Sequence, residues 1–147
     1  MGRIERAVSL FSEGFNCAQA VLAAFGPDLG LERELALKLA GAFGGGMGRM
    51  GETCGAVTGG LMALGLKFGP TRAGDEAAKE RAYGLACRFF KEFEAWNGSV
   101  LCRELLGCDL STPEGRKRAK EAGLHSSRCP GFVRAAAEIL ERLLELE

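Results

Sequence analysis

Apolar residues recur at three- and four-residue steps along most of the chain, the spacing of one face of an α-helix. Ile4, Val8 and Phe11 share such a face over Arg3 to Ser12, with Gly14 beyond it. Asn16 is placed to cap a second helix, CAQAVLAAF, which Gly26-Pro27 ends. Leu31 to Phe43 predicts a third, with Leu31, Leu35, Leu39 and Ala42 at core spacing. In a fourth, Cys54 to Phe68, the small residues Gly55, Gly59 and Ala63 stand four apart, so another helix can cross it closely. Asp75 opens a long fifth helix through Trp96. Its rows Tyr83, Cys87, Phe90, Glu94 and Phe89, Phe93, Trp96 predict a central position, with Cys87 filling core space. Ser99 is placed to cap a short helix, VLCRELLG. Ser111-Thr112-Pro113-Glu114 starts a basic one, and Cys129-Pro130 precedes a last amphipathic helix. No stretch alternates as a strand does. The expectation is an all-α, compact bundle of about seven helices in a single domain over 1–147.

Between the third and fourth helices runs a glycine-rich connector, GAFGGGMGRMGETCGAVTGG. Its glycines open backbone conformations closed to other residues, so its N–H groups can be aimed at an anion or a sulfur. Thr53 is expected as N-cap, which would put Cys54 in the positive end of the helix dipole and bias it toward thiolate. Cys17, Cys102 and Cys129 fall at the predicted starts of three further helices, whereas Cys108 lies in a connector. A helix N-terminus lowers a thiol pKa from about 8.5, and thiolate is the form that disulfide exchange, nucleophilic attack and metal ligation all require.

Composition narrows the classes. The chain has 147 residues, enough to bury about two thirds of its unfolded surface, with 19 Lys plus Arg against 19 Asp plus Glu. That balance gives no field for nucleic acid, and the cations of GRKRAKEAG read as a solvated helix face. No apolar run approaches the roughly 20 residues of a membrane span, and the N-terminus lacks a signal-peptide core. A cytoplasmic protein is expected, in which the six cysteines stay reduced. Neither C-x-x-C nor C-x-x-C-H is present. Gly46 to Gly51 matches G-x-G-x-x-G, but after a helix instead of the strand a dinucleotide site needs. His125, the single histidine, lies four residues before Cys129 and is a candidate base or ligand; Arg49 and Arg128 are candidates for holding a thiolate or an anion.

Taken together, GGGMGRMGETCGAVTGGLMALGLKFG, with FNCAQAVL upstream and LCRELLG and CPGFV downstream, resembles the redox-active family named for its C_GCAxxG_C_C cysteine pattern. The resemblance covers nearly the whole chain and singles out Cys17, Cys54, Cys102 and Cys129, the four that helix starts select on their own. The motif is shifted by one residue, since Thr53 precedes Cys54 and Gly55 precedes Ala56. Related domains accompany haem and iron–sulfur centres, which makes a metal cluster relevant.

Three functions follow as expectations. In the first, Cys54 attacks a disulfide of a redox partner protein or of a small thiol/disulfide, and Cys17, Cys102 or Cys129 resolves the mixed species. In the second, Cys17, Cys54, Cys102 and Cys129 hold an iron–sulfur cluster or zinc. In the third, the cysteines are inert in a helical partner-binding protein. Assembly as a homo-oligomer is left open, and convergence of the four helix starts is the step on which the first two depend.

Overall fold

Why the chain adopts one bundle is clearest at α2 (Cys17–Phe25), the helix that is apolar all round. Asn16 caps it: its side chain accepts from the Gln19 N–H at 2.8 Å, and the Gln19 side chain accepts from the Asn16 N–H at 2.9 Å. Such a reciprocal pair satisfies two free donors of the first turn. Every residue of α2 except Cys17 and Gln19 is buried. The computed structural model describes residues 1–146, and over them α2 is packed by α1 (Arg3–Ser12), α3 (Arg33–Leu39), α4 (Gly55–Phe68) and α9 (Cys129–Leu144). A 3-10 turn over Gly26–Leu29 follows α2. The remaining helices are α5 (Glu76–Asn97), α6 (Cys102–Leu106), α7 (Pro113–Glu121) and α8 (Leu124–Ser127). The fold is all-α, as the spacing predicts.

The small-residue face of α4 is used as expected. A Cβ at Gly59 would lie 2.7 Å from the Ala18 carbonyl oxygen, and one at Gly55 would lie 2.8 Å from the Ala18 nitrogen and 3.1 Å from the Cys17 Cβ. Glycine at these two positions is therefore what brings the start of α4 onto the start of α2. The opposite flank of α4 receives α5, whose Phe89 ring lies against Gly60.

Two expectations are corrected. The long helix α5 is not central: Tyr83 and Trp96 are 64% and 51% exposed, and only Leu85, Phe89 and Phe93 are buried. Its two aromatic rows compete for the core, and α4 and α9 cover Phe89 and Phe93 of one row but neither Tyr83 of the other nor Trp96 at the helix end. Cys87 therefore faces solvent instead of filling the core. The third helix is shorter than Leu31 to Phe43, and it buries Ala36 while exposing Leu35 and Leu39. Ala36 faces inward against Gly26, where an added Cβ would lie 3.6 Å from that of Ala36.

Candidate functional site

Two short segments hold the starts of α4 and α6 side by side. The Cys54 N–H donates to the Val100 carbonyl and the Cys102 N–H to the Glu52 carbonyl, both at 2.7 Å, around an antiparallel bridge between Thr53 and Leu101. Thr53 lies opposite Leu101 between these two bonds, in an extended segment, and does not cap α4. The helix starts one residue later than expected, with Cys54 itself as the N-cap. Cys102 opens α6, with Leu101 as N-cap, while the Ser99 hydroxyl accepts from the Leu101 N–H at 3.0 Å. Cys129 opens α9 behind Arg128.

The glycine connector folds into an unusual arc. Gly45, Gly46, Met47, Gly48 and Arg49 all have φ between 61° and 71°, a run of consecutive left-handed residues. Two of them carry side chains, each at a cost of about 1–2 kcal/mol relative to a right-handed conformation. Hydrogen bonds from Met47 to Phe43, Arg49 to Gly44, Gly51 to Gly45 and Glu52 to Gly46 hold the arc. Its near end rests on the cap of α2: Asn16 donates to the Gly41 carbonyl at 3.2 Å, and a Cβ at Gly44 would lie 2.9 Å from the Asn16 Cβ. Its inner side touches Cys102, whose Cβ would stand 2.7 Å from a Cβ at Gly46.

The four helix starts converge. Cys17, Cys54, Cys102 and Cys129 line one cavity of about 400 Å³, together with Gly45, Gly46, Arg49 and His125. Within it the Cys17 thiol neighbours both Cys54 and Cys129, with one proton to offer to either sulfur. The Cys129 and Cys54 sulfurs, either of which can accept its one proton, together with burial push the Cys17 thiol well above its ordinary range. Cys54 moves down: the Cys17 hydrogen bond is the largest cause, and the Ala56 and Val57 N–H groups at the start of α4 add to it against the cost of burial. Cys129 also moves down, again chiefly through Cys17. Cys102 is pushed up to about 12, by burial first and then by its two anionic neighbours. The site therefore holds two sulfurs biased toward thiolate, one proton donor between them, and a fourth kept neutral.

A family model described as "Putative redox-active protein (C_GCAxxG_C_C)" matches residues 15–143. The chain belongs to that family. Comparison with curated proteins and with solved structures found no match. In this C_GCAxxG_C_C protein the cysteines outside the pattern stay outside the cavity: Cys87 is exposed on α5, and Cys108 is buried beyond α6.

Among the described residues, no three His, Cys, Asp or Glu side chains form a group that could hold a metal ion. His125 reaches the cavity rim, with its ring 4.6 Å from that of Phe11. Arg128 does not line the cavity; it donates to the Leu105 carbonyl at 3.1 Å. Arg49 does line it, although it is not among the groups that shift Cys54. The basic α7, read as a solvated face, contributes two of its cations, Arg116 and Lys120. Their four-residue separation, with Ala119 alongside, was the available sign that one side of this helix faces something other than water.

Proposed function

We propose that the protein performs thiol–disulfide exchange, with Cys54 as attacking thiolate and Cys17 as resolving thiol. The observation that supports this reading is the meeting of Cys17, Cys54 and Cys129 on one cavity, where Cys17 is pushed up and Cys54 is drawn down by their mutual contact. The Cys54 sulfur attacks one sulfur of a disulfide R–S–S–R, forming Cys54–S–S–R and releasing R–S⁻, which takes a proton from water. Cys17 passes its proton to the Cys129 thiolate and attacks the Cys54 sulfur. A Cys17–Cys54 disulfide forms and the second R–S⁻ leaves, so two electrons have moved from the cysteine pair to the substrate. Cys102, held neutral, takes no part in either step.

The test is a thiol count on protein purified without oxygen, before and after mild oxidation, with peptide mapping of any disulfide. One reversible bridge joining Cys17 to Cys54 is the expected result. Metal and inorganic sulfide are measured on the same sample; stoichiometric zinc, or iron with sulfide, lost on replacing any of the four cysteines, would replace exchange by ligation.

A further inference from the structure

Charge around the cavity is one-sided. Arg49, Arg116 and Lys120 line it with no Asp or Glu among the lining residues, in a chain whose charges balance overall. Outside the cavity Arg3, Lys38, Arg103, Arg134 and Arg142 pair with carboxylates, and on α7 Lys117 pairs with Glu121, whereas among the described residues Arg118 and Lys91, with others, stand alone as the cavity cations do. Among the described residues the three cavity cations have no such partner. Their one side-chain hydrogen bond runs from Arg116 to the Leu110 carbonyl at 2.8 Å.

The groups acting on Cys54 are Cys17 and two backbone N–H groups, and those acting on Cys129 are Cys17 and Cys54. The left-handed arc adds donors: the N–H groups of Gly45 and Gly46 find no acceptor among the described residues, although Gly46 is buried against the cavity. A buried N–H without a partner is costly, and an anionic group of a ligand relieves it. At about 400 Å³ the cavity lies within the range of about 300–1,000 Å³ typical of small-molecule sites.

We infer that the cavity takes a small anionic disulfide, one bearing carboxylates beside its S–S bond, which Arg49, Arg116, Lys120 and the Gly45–Gly46 amides orient over Cys54. The inference depends on the exchange reading for its chemistry, and the two are tested separately. Fully reduced protein is mixed with oxidised glutathione, neutral bis(2-hydroxyethyl) disulfide or dicationic cystamine. Thiol loss is followed by acid quench and mass spectrometry, and each rate is divided by that of the same disulfide with 2-mercaptoethanol to remove intrinsic reactivity. The normalised rates fall in the order given, at least tenfold from first to last, and converge as salt is added. Combining Arg49→Gln, Arg116→Gln and Lys120→Gln lowers the ratio of the first rate to the second at least tenfold, whereas Lys117→Gln leaves it alone. A ratio unmoved by the triple substitution overturns the inference.

S-methylglutathione, a thioether that cannot exchange, separates the two readings. If it binds by NMR titration and the triple substitution weakens it tenfold, the anion site stands even where no disulfide oxidises the protein, and exchange alone fails. If it does not bind and oxidation is indifferent to substrate charge, exchange stands and the anionic substrate is lost.

Discussion

Cys17 is the residue on which the site turns. Its one proton, open to Cys54 or Cys129, biases the sulfur that accepts it toward thiolate, and two substitutions separate that service from its own reactivity. Cys17→Ala removes the donor, so the pH profile of Cys54 alkylation shifts upward toward the ordinary thiol range. Cys17→Ser keeps a donor and leaves that profile low, yet it cannot resolve, so mass spectrometry of the variant after disulfide treatment finds Cys54 as a stable mixed disulfide. Equal profiles for the two variants would remove Cys17 as the source of the shift. At this scale the sequence was informative about position and silent about partners. Asn16 announces the α2 start and hence Cys17, and Pro130 announces the α9 start and hence Cys129. Capping is a local matter, however, and which sulfur would touch which depends on how α2, α4 and α9 cross. Thr53 shows the limit from the other side: its residue type suits a cap, but the bonds made by its neighbours Glu52 and Cys54 hold it extended opposite Leu101.

Among the elements, the crossing of α2 and α4 carries the chemistry. Gly59 permits it, and Gly59→Ala places a methyl 2.7 Å from a carbonyl oxygen of the α2 backbone, which cannot rotate away. The expected cost is about 1–3 kcal/mol of stability from overpacking, read as a lower urea midpoint. Because the helices must part at the end that carries Cys17 and Cys54, the yield of the Cys17–Cys54 bridge on oxidation drops as well. A loss of stability with the bridge yield intact would mean that the crossing is structural only. The glycine spacing in α4 was legible because three small residues four apart have few other uses. The place of α5 was not: two aromatic rows on one helix present two candidate faces, and the packing of α4 and α9 takes Phe89 and Phe93 over the Tyr83 row while leaving Trp96, a turn beyond Phe93, exposed.

For the whole molecule, the raised Cys102 thiol sets a limit on alkaline stability. An unfolded cysteine titrates near 8.5, whereas folded Cys102 titrates at about 12. Below pH 8 the thiol is neutral in both states and pH has no leverage through it. As pH rises from about 9 toward 12 the unfolded chain loses this proton and the folded one keeps it, so folding stability falls. Urea denaturation at pH 8 and pH 10.5 shows a steeper loss for the wild type than for Cys102→Ala; parallel losses would refute the assignment. No described helix is long and apolar enough to cross a membrane. Net neutrality hides the feature that matters for recognition, since the acids that balance Arg49, Arg116 and Lys120 lie outside the cavity. Summed charge could not show that separation, and α7 looked like any basic surface helix until the cysteine helices were assembled beside it.

The arc from Gly45 to Arg49 is, in stereochemical terms, a stretch written for the other enantiomer. Each of its residues sits where a D-amino acid is at ease and an L-residue is strained. A D-alanine introduced at Gly48 by chemical ligation has the favoured hand and loses less freedom on folding than glycine does, for a gain of about 0.4–1 kcal/mol. L-alanine at the same site meets open space, with its nearest neighbour 3.8 Å away, and destabilises through backbone strain alone. The pair of diastereomers therefore weighs the handedness of the cavity wall with no change of atoms.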